Sequence, residues 1–128
     1  MLEARIETLP QQIHRQATAA SISDIARLLQ EVLSRRLTAF AAGVKDGKTV
    51  TRWANGEITE IRDVDVERRL RTTYEIAQLL LTQDSPGTVK AWFIGMNPEL
   101  DDVSPIEAIH DGNLKDAKIA AHVFFVNG

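Results

Sequence analysis

Residues 35–56, RRLTAFAAGVKDGKTVTRWANG, decide how the chain is read. Leu37, Phe40 and Ala41 recur at helical spacing, so they are expected to face inward. Gly43, Asp46 and Gly47 then break the pattern. Asp46 predicts the cap of a second helix, because its carboxylate can accept from the free N–H groups of the next turn. Val50 and Trp53 lie three apart and share a face, which leaves Lys48, Thr49, Thr51 and Arg52 pointing outward. Asn55-Gly56 tolerates the left-handed backbone that ends a helix. The stretch therefore reads as two short helices around a tight turn. A short second helix with cationic and polar outward residues suits a DNA major groove.

Two other readings compete. Gly43 to Thr49 resembles a phosphate loop, but three residues separate its glycines where that motif needs four. It also follows a helical pattern, where the motif requires a strand. Asp46-Gly47 between Val44 and Val50 is a two-residue hairpin signal. Against a hairpin, Leu37 to Ala42 does not alternate, and no further strand follows Trp53.

Outward from this stretch, charge is unevenly spread. The 128 residues carry 15 Lys and Arg against 18 Asp and Glu, a net charge of −3. That total argues against a nucleic-acid partner, but residues 35–71 hold nine cations and six acids, a local +3. Residues 1–34 are at −1 and residues 72–128 at −5. Phosphate contact needs local cations rather than a basic whole. A solvated helix surface is the plain alternative for such a cluster. The length allows one domain, or two very small ones, with a core that needs no staples. There is no cysteine, hence no disulfide and no thiolate metal site. Residues 1–12 lack the apolar centre of a signal peptide, and no run approaches a membrane span. A cytoplasmic protein with no membrane partner is expected.

Residues 1–20 are polar and weakly patterned, and read as an N-terminal extension, either a frayed tail or an arm. Ser21 to Asp24 offers caps for a helix to about Leu33, with Ile25, Leu28, Leu29, Val32 and Leu33 as its buried stripe. Ser34 can cap the next helix, although a continuous helix through it is the alternative. Asp63 stands at the start of the longest expected helix, to about Thr82, with Val66, Leu70, Tyr74, Ala77, Leu80 and Leu81 inward. Arg68, Arg69 and Arg71 in its first half either support phosphate contact or solvate the helix.

Further on, Asp84-Ser85-Pro86 starts a helix with Val89, Trp92 and Phe93 on one face, ending at Gly95. Asn97-Pro98 marks a loop. Ser104-Pro105-Ile106-Glu107 reads as a capping box. After Gly112, Asn113 is expected to cap a last helix with Ile119, Ala120, Val123 and Phe124 inward. The fold class is all-α, with about seven helices. The expected divisions are an extension (1–20), a helix-turn-helix region (21–62) and a C-terminal helical domain (63–128).

Thr49-Val50-Thr51-Arg52-Trp53-Ala54-Asn55-Gly56 resembles the recognition helix of Xre-type helix-turn-helix proteins. Downstream, Ala91-Trp92-Phe93, Met96-Asn97-Pro98-Glu99-Leu100, Ser104-Pro105-Ile106-Glu107-Ala108 and then Gly112 resemble the toxin-binding domain of the MbcA/ParS/Xre antitoxin family. Order and spacing correspond over about residues 22–128. The resemblance implies an antitoxin of a RES–Xre toxin–antitoxin system. Such a protein is a homodimer, represses its own promoter through the helix-turn-helix, and covers the active site of an NAD-consuming RES-domain toxin. It implies DNA contacts at Lys45, Lys48, Thr49, Thr51, Arg52 and Asn55. It implies toxin contacts at Trp92, Asn97, Pro98, Phe125, Asn127 and Gly128. The residues before Ser21 depart from a compact member of that family.

Arg52 is the outward residue suited to a bidentate pair with guanine. Trp53 and Trp92 have apolar helical partners and read as core. Phe124 and Phe125 are adjacent and so face different ways; either one of them is available to a second chain or a toxin, or the terminal helix or turn buries both and seals the core. His14, His110 and His122 are too dispersed for a metal motif, and Asp101-Asp102 is a weak cation signal. No nucleophile–base set is present, so a non-enzyme without cofactor or metal is expected. The alternative is a stand-alone helix-turn-helix regulator whose C-terminal half dimerises or senses a ligand.

Overall fold

The computed structural model describes residues 6–128. Within them the chain is all-helical, with eight α-helices and one 3-10 turn. These are α1 (Leu9–Ala19), α2 (Ile22–Val32), α3 (Arg35–Ala42), α4 (Gly47–Ala54) and α5 (Val64–Leu81), then α6 (Pro86–Ile94), the 3-10 turn Pro98–Leu100, α7 (Pro105–His110) and α8 (Leu114–Asn127). The helix count exceeds the expected seven by α1, and the Asn97-Pro98 loop contains the 3-10 turn.

Helix α5 is the axis of the fold. It packs against α1, α2, α3, α6, α7 and α8. Its sequence suits this position, because apolar residues occupy more than one face. Val66, Leu70, Ala77 and Leu80 are buried as the spacing predicts, and Thr73, Ile76 and Leu79 are buried beside them. Tyr74 and Leu81 are half-buried at the rim of the core. Thr73 enters the core because its hydroxyl donates to the Arg69 carbonyl one turn back, at 2.7 Å. Thr38 does the same with Ser34, also at 2.7 Å. Such back-bonding satisfies a buried hydroxyl without another partner.

Residues 1–20 are mostly not a tail. Thr8 and Gln11 cap α1 reciprocally, and Ile13 and Ala17 are buried against the rest of the fold. The other end is held from a distance. Arg71 on α5 donates through Nη1 to the carbonyls of Ala17, Thr18 and Ala20, at 3.0, 3.3 and 2.8 Å. Those are orphan acceptors at a helix end, and a guanidinium satisfies them well. His14 Nδ1 also donates to Glu75 on α5, at 2.7 Å. Met1–Arg5, the remainder of the expected extension, lie outside the described residues.

Several local expectations fail for identifiable reasons. Phe40 is 38% exposed rather than core. Its ring stacks on His110 of α7, with centroids 4.1 Å apart, and its carbonyl accepts from His110 Nδ1 at 2.7 Å. The buried face of α3 is instead Thr38, Ala39, Ala41 and Ala42. On α8 the buried residues are Ala117, Ala120 and Ala121, while Ile119 is 50% exposed. Asn113 makes no side-chain cap on α8. Ser104 forms the hydroxyl half of its box, accepting from Glu107 N at 3.3 Å.

Leu70 is fully buried at the centre of this arrangement. Leu70→Ala should lower unfolding free energy by about 2–5 kcal/mol, the usual cost of a buried leucine cavity. Urea denaturation followed by circular dichroism measures it, and a loss below about 1 kcal/mol would deny α5 its central place.

Candidate nucleic-acid interface

Helices α3 and α4 meet at a four-residue turn, Gly43-Val44-Lys45-Asp46. Gly43 ends α3 in the left-handed region, at φ +82°. That geometry lets Val44 N–H donate to Ala39 O and Gly43 N–H to Phe40 O, at 3.0 and 3.1 Å. Asp46 then caps α4, its carboxylate accepting from Lys48 N at 2.9 Å. The second helix ends by the same device. Gly56, at φ +77°, lets Glu57 N–H reach Arg52 O at 3.0 Å, and itself donates to Trp53 O at 3.1 Å. Asn55 keeps a right-handed backbone, so only the glycine supplies the left-handed step.

Helix α4 is fixed by what it buries. Val50, Trp53 and Ala54 are buried, against α2 and α3. Helix α2 also grips its last turn, because Ser23 Oγ and Arg27 Nε both donate to Ala54 O, at 2.9 and 3.3 Å. At 100° per residue, the opposite face is Lys48, Arg52 and Asn55, one row at i, i+4 and i+7. All three are exposed. Thr49 and Thr51, expected to point outward, stand on the flanks and are both half-buried, because they lie between the exposed row and the buried Val50–Trp53 face. Thr51 is already engaged, since its Oγ1 accepts from Arg35 Nη1 at 3.1 Å. Lys45 is exposed in the turn, beside the row.

Arg35 and Arg36 enlarge the cationic area. With Lys45 and Lys48 they border a cleft of about 570 Å³ at the α3–α4 turn, which the Phe40–His110 stack closes on one side. Helical spacing alone gives these two arginines no role beyond the charge count. Their proximity depends on how α3 turns away from α2 at Ser34, whose φ is +113°. Among the described residues, none of Arg35, Arg36, Lys45, Lys48 and Arg52 is ion-paired. Arg71, by contrast, is occupied by Glu67 and the end of α1, so it is not placed to contact phosphate. Arg69 lies over Gly43, and Arg68 faces a different groove. The area can hold an extended anion and offer donors to base edges.

The residues expected to meet a protein partner are partly used by the fold. Trp92 is half-buried, edge-on to Phe93 at 5.2 Å and tilted against Phe124 at 6.1 Å. Asn97 is buried, and its Oδ1 accepts from Glu99 N at 2.9 Å. Phe125 is half-buried on the core, beside Phe124. Pro98, Asn127 and Gly128 are exposed. Sequence reading missed Met96, 81% exposed, and Ile94 on the same edge. Among the described residues no group of three or more His, Cys, Asp or Glu lies where it could hold a metal ion, and no helix is long and apolar enough to cross a membrane.

A Cβ at Gly43 would stand 3.2 Å from Arg69 Nη1, on a backbone that L-residues avoid. Gly43→Ala should therefore cost about 1–2 kcal/mol, mostly as left-handed strain. A thermal melt no lower than that of the native chain would rule out this turn geometry.

Compared with known proteins, the chain matches no family model, no curated protein and no solved structure.

Proposed function

We propose that the chain is a DNA-binding antitoxin of the RES–Xre kind, a non-enzyme that reads its own promoter with α4 and neutralises a toxin with its C-terminal helices. The observation that carries the DNA half is the row Lys48, Arg52 and Asn55. It is exposed, set opposite a buried Val50–Trp53 face, and flanked by Arg35, Arg36 and Lys45 without ion-paired acids among the described residues. An anion-seeking surface on a protein with net charge −3 is most simply explained by phosphate. In this reading Lys45, Lys48, Arg35 and Arg36 take the backbone. Arg52 reads a base and Asn55 is its neighbour in the groove. Thr51 is held by Arg35 and acts as a support.

The toxin half rests on different residues. The sequence order Trp92, Asn97-Pro98, Ser104-Pro105 and Gly112 suggests it, and the exposed Ile94–Met96 edge gives it a surface. Trp92 and Asn97 shape that edge from beneath, and Met96 and Pro98 meet the partner; Asn127 and Gly128 contact it separately, at the exposed end of α8. The toxin, a RES-domain enzyme, and a homodimeric state belong to the same proposal.

Arg52→Ala should weaken binding to a selected operator by about 1–3 kcal/mol and relax sequence choice at one position, as loss of a bidentate base contact does. Lys45→Ala and Lys48→Ala should weaken all sequences alike and each lower the salt slope by about one. Gel shifts across a salt series measure both, and an Arg52→Ala protein that binds like the native one would refute the assignment. Met96→Asp should abolish rescue from a co-expressed RES-type enzyme encoded beside this gene while leaving operator binding intact. Undiminished rescue would remove the toxin edge.

A further inference from the structure

A second hollow lies on another side of the molecule. A groove of about 880 Å³ runs between α1, α5 and α8. Ile119, Val123 and Val126 recur along it at i, i+4 and i+7, so they form one stripe on α8. Ile119 is 50% exposed and Val126 78%. The core uses a different face of that helix, Ala117, Ala120 and Ala121. Helix α8 thus has two apolar faces, and the fold covers one. Trp92 meets α8 through Phe124, on the side away from Ile119, so the groove is separate from the Ile94–Met96 edge.

Charge decides what the groove would accept. Its one carboxylate among the described residues is Glu75, already bound by His14 at 2.7 Å and Lys118 at 3.1 Å. Arg68 and Lys115 line the groove without ion pairs among the described residues. The opening is therefore apolar along α8 and cationic at its borders, although residues 72–128 as a whole carry a net −5. A second copy docked face to face would set Arg68 and Lys115 against like charges, which opposes self-pairing.

We propose that this groove receives an amphipathic helix with acidic flanks from a separate polypeptide. Its apolar residues lie along Ile119, Val123 and Val126, and its carboxylates pair with Arg68 and Lys115. Three apolar positions spread over seven residues match the anchor spacing of helix-in-groove recognition. This surface is independent of the α4 row and can be tested without DNA.

The probes are two fluorescein-labelled peptides of about 18 residues with the same leucine stripe, one flanked by Glu and the other by Lys. Fluorescence anisotropy with the full chain should give the Glu peptide at least about tenfold tighter binding. Ile119→Asp and Lys115→Glu should each weaken it about tenfold or more, with an unchanged thermal melt, because both side chains are exposed or half-exposed. Equal affinity for the two peptides, no binding of either, or indifference to Ile119→Asp would overturn the proposal. Sedimentation tests the other occupant. Self-association that Ile119→Asp abolishes would give the groove to a second copy and likewise overturn the proposal.

Discussion

Trp53 is the contact on which the candidate interface depends. Helix α4 has only eight residues, far short of the length at which a helix is stable alone in water. It exists because Val50, Trp53 and Ala54 are buried against its neighbours, and because carbonyls in its last turn find partners beyond the helix. Burying that face fixes the rotation of the helix. Rotation in turn dictates that Lys48, Arg52 and Asn55 point to solvent. The exposed row is thus a consequence of the core.

The same logic acts at larger scale through α5. Two of its charged residues serve as long-range fasteners. Arg71 is held by Glu67 at 2.8 Å and closes the end of α1; Glu75 joins His14 of α1 to Lys118 of α8. Exposed ion pairs contribute little, but Glu75 is only 13% exposed and serves two partners. Fastening α1 and α8 to the two sides of α5 is what leaves a groove between them. The hollow follows from the packing around one long helix.

How much of this could be read in the sequence depends on the distance over which each feature is decided. Caps at Asp46, Asp63, Ser21 and Ser85 were legible, since each involves residues within one turn. The inward pair Val50 and Trp53 was legible for the same reason. Helix α1 was not, because its own apolar content is slight and its anchor, Arg71, is more than fifty residues away. Phe40 was misread because its partner, His110, lies 70 residues further on. Ile119 was misread for a different reason. Spacing shows that a residue belongs to an apolar stripe, and cannot tell whether the chain itself supplies the other half. Within the candidate site, Lys48 and Arg52 were therefore legible as outward residues, while Thr49 and Thr51, expected beside them, are half-buried. The site's extension to Arg35 and Arg36 was not legible, for it depends on the corner at Ser34.

Ser34 also bears on why the cations are gathered at all. A non-glycine residue at φ +113° carries strain of about 1–3 kcal/mol, which the surroundings must hold in place. The corner it forms brings Arg35 and Arg36 beside Lys45 and Lys48. Like charges at such a distance repel, and screening at physiological salt only moderates this over about 8 Å. Within the monomer, then, both the strained corner and the crowded cations are unfavourable. Eighteen acids were available in the chain to pair with them, and among the described residues none does. A polyanion laid across α3 and α4 would turn that repulsion into attraction. Both unfavourable features then have one physical use, which is why phosphate is the partner proposed for this face.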